Sequence, residues 1–319
     1  MPRCGRRRLI AGAMAVATAF MVHAPARAEQ FINVLTGGTA GVYYPLGVAL
    51  AKIYGETVPD ARTSVQATKA SVENLNLLQA GKGEIAFTLG DSLALGFKGD
   101  EEAGFKAPLQ RLRGIAAIYP NYIQIVATKD SGIHTLADLR GKRVSVGAPK
   151  SGTELNARAI LGAAGLGYDD LGKVEYLPFA ESVELMKNRQ LDATLQSAGL
   201  GVASIRDLAA SVPIEVVAIP GDLVARVGTP YVAATIPAGT YGGQAADVPT
   251  AAVVNFLVTH DKVSDELAYA MTKGLWEHVD QLKAAHAAAK DMKLEKAAKG
   301  MPVPLHPGAE RYYKEKGVL

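Results

Sequence analysis

Short β-branched runs alternate along the chain with segments of helical periodicity, a pattern typical of successive βαβ units. The strands predicted in the first half are "FINVL" (31–35), "TSVQAT" (63–68) and "EIAFTL" (84–89). Apolar residues recur at helical spacing from Val42 to Ile53. Ser71 is predicted to be the N-cap of a further helix, which Gly81 ends. The first half therefore predicts an α/β unit.

A second series of the same kind begins after residue 120. Its predicted strands are "RVSVG" (143–147), "KVEYLPF" (173–179), "LDATLQ" (191–196) and "IEVVAIP" (214–220), with helical patterns between them. Two longer apolar segments, residues 113–128 and 230–241, are predicted to be strands that cross between the two units. The chain after them is expected to be mainly helical.

The length of the chain also favours two units. Without its first 28 residues it has about 291, more than one hydrophobic core comfortably fills. We therefore predict an α/β fold of two lobes. Lobe 1 is predicted to comprise residues 29–119 and 229–319, and lobe 2 residues 120–228.

The first 28 residues have the pattern of a secretory signal peptide. Four arginines precede the 14-residue apolar run "LIAGAMAVATAFMV", and "ARA" precedes Glu29. The run is too short to span a bilayer. We therefore predict cleavage after about Ala28 and a mature protein that is exported to the periplasm and is not embedded in a membrane.

This leader contains much of the chain's positive charge. The whole chain has 34 Lys and Arg against 31 Asp and Glu, but five of the arginines precede Glu29. The remainder is slightly acidic and has no basic stripe with interleaved aromatic residues, which excludes nucleic acid as a partner. The single cysteine, Cys4, also lies in the leader. The mature chain is therefore predicted to have no disulfide, zinc-thiolate site or cysteine nucleophile.

Two glycine-containing loops, each between a predicted strand and a predicted helix, contain the candidate ligand-binding groups. The first offers the hydroxyls of Thr36, Thr39 and Tyr43 and the backbone of Gly37, Gly38 and Gly41; the second offers Ser151, Gly152 and Thr153. A helix N-terminus has unpaired N–H groups and a partial positive charge, so it favours an anion. Two such ends facing each other would hold a small carboxylate. The alternative is that the hydroxyls only cap helices and the glycines only form turns.

Motifs for catalysis and cofactors are missing from the sequence. "GGTAG" does not match G-x-G-x-x-G, and no G-x-x-x-x-G-K-[ST] or H-E-x-x-H occurs. Neither Ser151 nor Ser197 lies in G-x-S-x-G. We therefore predict no cofactor, no metal and no enzymatic activity, with an exported enzyme on the same scaffold as the rival hypothesis.

Six segments, in order, resemble the TAXI-type solute-binding proteins of tripartite ATP-independent periplasmic (TRAP) transporters. They are "TGGTAGVYYPLG", "SVENLNLLQAGKGEIAF", "LADLRGKRVSVG", "SGTELNARAILGAAGL", "TIPAGTY" and "VPLHPGAERYYKEKG". The resemblance implies a two-lobed α/β periplasmic binding protein of type II, with a ligand cleft between the lobes and two hinge strands. It also implies a cargo of the family's kind, a small organic anion such as glutamate or 2-oxoglutarate. The expected partners are the TRAP membrane subunits, driven by an ion gradient.

The resemblance also implies which residues contact the ligand. Carried over position by position, these are Thr36, Gly38, Thr39, Tyr43, Thr68, Ser71, Asp91, Ser151, Gly152 and Thr153. We expect a monomer that closes around its ligand. A sensor that reports a ligand to a membrane receptor is the alternative role.

Two lysines depart from the family pattern. Lys69 and Lys150 stand where the family often has glycine, in "TKAS" and "PKSGT". They are predicted either to favour a more negatively charged ligand, such as a dicarboxylate, or to be solvated residues of little effect. Asp91 has two predicted roles as well, accepting from a ligand ammonium group or capping the following helix.

Overall fold

The computed structural model describes Met1 and residues 29–319 of the protein. The predicted signal peptide, apart from its first residue, therefore lies outside the described residues. In the part of the chain that is described, no helix is both long enough and apolar enough to cross a bilayer.

Within this range the chain forms ten strands and ten α-helices. The strands are Gln30–Leu35 (β1), Ala61–Gln66 (β2), Ile85–Leu89 (β3), Leu112–Thr128 (β4), Arg143–Ser145 (β5), Lys173–Glu175 (β6), Ala193–Ala198 (β7), Ile214–Val217 (β8), Val232–Ile236 (β9) and Val248–His260 (β10). The helices are Tyr43–Thr57 (α1), Ser71–Gln79 (α2), Gly90–Lys98 (α3), Gly152–Ala163 (α4), Phe179–Lys187 (α5), Ala203–Ser211 (α6), Gly221–Val227 (α7), Asp265–Glu277 (α8), Val279–Ala285 (α9) and Pro307–Glu315 (α10).

The predicted alternation of strands and helices is confirmed in both halves, with boundaries that differ by a few residues. The prediction that the chain after residue 241 is mainly helical holds for the part that contains α8, α9 and α10, but it missed β10, a strand of 13 residues. The prediction for residues 230–241 needs correction too. Only Val232–Ile236 are a strand, and β9 pairs with β10 alone.

The sheet contains two parallel groups joined through two long antiparallel strands. Its order is β2-β1-β3-β10-β4-β7-β5-β6. The pairs β1–β2 and β1–β3 are parallel, as are β5–β6 and β5–β7. Each group therefore repeats the same order, with its first strand (β1 or β5) in the middle and its last strand (β3 or β7) beside β10 or β4.

Both long strands change partners along their length. The first part of β4 pairs with β10, and its last part pairs with β7 and β8. In β10, residues 248–252 pair with β9, and residues 255–258 pair with β3. These two strands therefore connect the parallel groups, which is the arrangement of hinge strands between two lobes. The residue boundaries of the lobes stay predictions.

The C-terminal helices pack onto the first parallel group. Trp276 in α8 donates from its indole nitrogen to the Tyr313 hydroxyl of α10, at 3.0 Å. The Tyr313 hydroxyl donates in turn to the carbonyl of Ile115 in β4, at 2.7 Å. Both tyrosines of α10, Tyr312 and Tyr313, are buried. The chain end is thus anchored close to one hinge strand.

Candidate ligand-binding site

A cavity of about 110 Å³ lies between the two parallel groups, where the N-termini of four helices meet. The lining from the first group consists of Gly37, Gly38, Gly41, Val42, Tyr43, Thr68, Lys69, Ala70, Ser71 and Leu89. The lining from the hinge strand β4 and the second group consists of Asn121, Ala148, Ser151, Gly152, Thr153, Pro178, Phe179, Ser197 and Ala198. These residues include the starts of α1, α2, α4 and α5.

The charge around this cavity favours an anion. The four helices are between nine and 15 residues long, and each presents unpaired N–H groups and the positive end of its dipole. Among the described residues that line the cavity, none is acidic and only Lys69 is basic. The Lys69 side chain is exposed, so the main-chain groups carry most of the positive potential inside.

Three serines line the cavity. Ser71 Oγ accepts from the backbone N–H of Leu89 at 3.1 Å, and Ser151 Oγ accepts from the N–H of Glu154 at 3.1 Å. The Ser151 hydroxyl hydrogen stays available to donate to a ligand, whereas the Ser71 hydroxyl is hydrogen-bonded with the Tyr43 hydroxyl. The third, Ser197, is 5% exposed, and its Oγ has no hydrogen-bond partner.

These contacts show whether Ser151 and Ser71 cap the helices that they precede or begin. Ser151 is the N-cap of α4, as the capping alternative predicted. The prediction that Ser71 caps α2 was wrong, because Ala70 is the N-cap and Ser71 is the first helical residue. The Ser71 hydroxyl accepts from Leu89 in the neighbouring strand β3 and so bonds across the fold instead of within its own helix.

Two non-glycine residues beside the cavity, Ala70 and Lys150, have positive φ. Ala70 has φ 72° and ψ −142°, and Lys150 has φ 62°. A non-glycine residue is rare in such conformations, so the surrounding structure must maintain them. The Lys150 side chain is exposed, while its carbonyl accepts from the N–H of Glu73 in α2 at 3.1 Å. This bond joins the two lobes beside the cavity.

Tyr43 belongs to a buried network that crosses both hinge strands. Its hydroxyl donates to the side-chain oxygen of Asn255 in β10, and the Asn255 amide donates to Asn121 Oδ1 in β4 at 2.7 Å. The Asn121 amide donates to the carbonyl of Ser197 in β7 at 2.9 Å. Burial raises the pKa of Tyr43 well above its ordinary range. The neutral hydroxyl is therefore committed to the network, and the ring faces the cavity, stacked on Phe87 with centroids 5.1 Å apart.

The structure brings most of the predicted contact residues together. Those that line the cavity are Gly38, Tyr43, Thr68, Lys69, Ser71, Ser151, Gly152 and Thr153. Those outside its lining are Thr36, Thr39, Asp91 and Lys150. Thr36 is buried and donates from its hydroxyl to the Gln66 carbonyl at 2.8 Å, while Thr39 is exposed.

Asp91 lies buried in the first turn of α3, where it joins the two lobes. Its Oδ1 accepts from the N–H of Ser92 at 2.7 Å. Its Oδ2 accepts from the Asn156 amide of α4 and from the Tyr231 hydroxyl, each at 2.6 Å. Burial raises the pKa of Asp91, although the bonds from Tyr231 and Ser92 oppose that shift. The carboxyl group is saturated by protein donors.

Several lining residues were not predicted from the sequence. Leu89, Asn121 and Ser197 come from strands, and Phe179 begins α5. Asn121 had one usable signal, since it is a polar residue inside the otherwise apolar segment of residues 113–128. The others have no distinguishing local pattern. The described residues contain no group of three or more His, Cys, Asp or Glu side chains placed to hold a metal ion.

Two parallel α/β groups, hinge strands between them and a cavity at the junction define the two-lobed fold of periplasmic solute-binding proteins. The chain belongs to the NMT1-like family, whose model matches residues 34–317. The narrower resemblance to TAXI proteins stays a prediction.

Three solved structures show the same fold at low sequence identity. A protein from Bordetella bronchiseptica RB50 is 15% identical, with a TM-score of 0.58 over 91% of this chain and 98% of its own. A Listeria monocytogenes protein described as an L-cystine ABC transporter is 17% identical, with a TM-score of 0.52 over 83% and 98%. The alkanesulfonate-binding protein SsuA from Xanthomonas axonopodis pv. citri, bound to MOPS, is 16% identical, with a TM-score of 0.50 over 90% and 85%.

Proposed function

We propose that this protein is an exported solute-binding protein that captures a small organic anion between its lobes and presents it to a membrane transporter. The observation that supports this most is the meeting of four helix N-termini at one cavity with no acidic residue among its described lining. An anion there is stabilised by unpaired N–H groups and helix dipoles. A cation would find no carboxylate to neutralise it.

A carboxylate is the proposed cargo. The sequence resemblance to TAXI proteins supports glutamate, 2-oxoglutarate or another carboxylate, and it supports TRAP membrane subunits as the partner. The similar Xanthomonas protein is described as binding alkanesulfonates, which are also organic anions, and the similar Listeria protein is described as an ABC transporter. The fold is therefore used with anionic cargo elsewhere, while the choice of TRAP subunits rests on the sequence alone.

Lobe closure provides the proposed mechanism. The anion docks on the starts of α1 and α2, and closure brings the starts of α4 and α5 onto it. Two contacts between the lobes form only when they meet, from the Glu73 N–H to the Lys150 carbonyl at 3.1 Å and from Arg158 Nη1 to the Glu102 carbonyl at 2.8 Å. Interactions made only in the closed state are those that shift the equilibrium toward it.

A thermal-unfolding screen tests this function. The purified protein is heated with glutamate, 2-oxoglutarate, succinate, short monocarboxylates, alkanesulfonates and neutral amino acids in turn. A ligand of the native state at about 100 times its Kd adds about 2.7 kcal/mol of stability. We expect an anion to stabilise the protein and to be recovered chemically unchanged. Stabilisation by no anion would refute the proposal, and recovery of an altered ligand would favour the enzyme hypothesis.

A further inference from the structure

The size of the cavity limits its cargo. At about 110 Å³ it is smaller than the apolar protein cavity of about 150 Å³ that takes up benzene. The cavity is partly open to solvent, so a ligand of about this size fits inside it and a longer one would extend into the opening. Glutamate and 2-oxoglutarate are both larger than benzene, so neither would be enclosed completely without a wider separation of the lobes.

The chemistry of the lining limits the charge of the cargo. Apart from the main-chain donors and hydroxyls, most of the lining is apolar: Val42, Leu89, Ala148, Pro178, Phe179, Ala198 and the ring of Tyr43. A second carboxylate against these side chains would lose its hydration without gaining a donor. Lys69 is the only lining cation among the described residues, and its exposed ammonium group is screened by water.

An ammonium group on the cargo would also find no partner. No lining residue in the described part of the chain is acidic. The buried carboxyl of Asp91 lies outside the lining and already accepts from Ser92, Asn156 and Tyr231. The Ser197 carbonyl accepts from Asn121. No carboxylate among the described lining residues is therefore available to neutralise an ammonium group.

An unpaired hydroxyl indicates where one carboxylate group would bind. Ser197 lines the cavity and is almost completely buried, and its Oγ has no hydrogen-bond partner. A buried polar group without a partner is unfavourable, and a ligand carboxylate oxygen would accept its hydrogen. Ser151 also has a hydroxyl hydrogen available at the same cavity.

Resting on the proposed function, we infer that the cargo is a short monocarboxylate with an apolar tail and without an ammonium group, of about the size of butyrate. Its carboxylate accepts hydrogen bonds from the N–H groups at the helix N-termini and from the hydroxyls of Ser151 and Ser197. Its tail packs against Leu89, Phe179 and the other apolar side chains.

Four ligands with the same four-carbon skeleton test this inference. Calorimetric titration of the purified protein compares butyrate with butyramide, L-2-aminobutyrate and succinate. Relative to butyrate, butyramide lacks the negative charge, L-2-aminobutyrate has an added ammonium group, and succinate has a second carboxylate. We expect butyrate to bind at least about tenfold more tightly than each of the other three, a difference of about 1.4 kcal/mol or more.

The outcomes separate this inference from the proposed function. If succinate, 2-oxoglutarate or glutamate binds more tightly than butyrate, the inference is overturned and anion capture stands. If L-2-aminobutyrate binds most tightly, the cavity does provide a partner for the ammonium group of a ligand, and the inference is overturned. If none of the carboxylates or alkanesulfonates binds, the proposed function itself fails.

Substitution of two residues provides a second test. Ser197→Ala removes the unpaired hydroxyl, and we expect butyrate to bind about tenfold more weakly while the thermal midpoint without ligand hardly changes. Phe179→Leu shortens the apolar wall, and we expect it to improve the affinity for hexanoate relative to butyrate. Unchanged butyrate affinity in Ser197→Ala would contradict the assigned carboxylate position. An unchanged preference in Phe179→Leu would contradict the assigned tail position.

Discussion

Gly152, the first residue of α4, is the position where one added methyl group should most strongly oppose lobe closure. A Cβ placed there would lie 2.6 Å from Leu89 Cδ1, 2.7 Å from Ser71 Oγ and 2.9 Å from Ser92 Oγ. All three distances are well inside the 3.4 Å at which ordinary contact begins. The three contacted residues belong to the other of the two predicted lobes, so opening the lobes should relieve the clash.

The expected cost of Gly152→Ala falls on the closed state alone. Overpacking of a well-filled contact costs about 1–3 kcal/mol, and a free energy of this size weakens binding about 5- to 150-fold. The open state gains a residue of better helix propensity. We therefore expect a higher Kd in calorimetric titration with butyrate, or with the carboxylate that stabilises the protein most, together with an unchanged or higher thermal midpoint without ligand.

Gly162→Ala is the matched control. Gly162 lies in the same helix, and a Cβ there would have no atom within 4 Å. This variant should bind the ligand as the unmodified protein does. If Gly152→Ala binds within twofold of Gly162→Ala, the lobes do not close on the ligand through the contact described above, and the closure mechanism is refuted.

Three further predictions concern strain, a buried acid and the cavity rim. Ala70→Gly should stabilise the protein by about 1 kcal/mol in urea unfolding because it removes a strained positive φ. Ala80→Gly, at the other end of the same helix, should destabilise it. A loss of stability in Ala70→Gly would contradict the inferred strain. The raised pKa of Asp91 means that its contribution to stability is fully present below its ordinary value of 3.8 and is lost as the pH rises through the raised pKa. Urea unfolding over that window should show this decline in the unmodified protein and not in Asp91→Asn, and parallel pH profiles would disprove it. Lys69→Ala should slow anion association at low salt in stopped-flow measurements. Lys150→Ala should not, since of the two lysines only Lys69 lines the cavity. Equal association rates in both variants would show that Lys69 does not guide the ligand.

The long strand β10 shows what the hydrophobic pattern alone does not resolve. Most of its 13 residues are buried on both faces. A strand of this kind reads as a continuous apolar run without alternation, and such a run cannot be distinguished by periodicity from a buried helical segment. The half-buried strands and amphipathic helices of both lobes have clearer periods, so their order was predictable.

The residues of the candidate site also differ in whether the local sequence predicts them. Its loop residues at 36–43 and 150–153 have a local signal, because glycines and hydroxyls stand directly before a helix. Leu89 and Ser197 reach the cavity only because strand pairing brings the ends of β3 and β7 together, and this pairing depends on residues far apart in the chain. Ser71 shows the same limit. Its helix-start position is typical of a cap, but its hydroxyl bonds to another element.

The reliance on main-chain donors has a consequence for how this protein can diversify. Backbone N–H groups at the starts of α1, α2, α4 and α5 are present with every side chain except proline. Most substitutions there therefore keep the donors that bind the anion. The bond from Glu73 N–H to the Lys150 carbonyl is also between main-chain atoms. Substitution of a few lining residues, such as Leu89 or Phe179, could therefore change which anion a related protein binds without changing the contacts between its lobes.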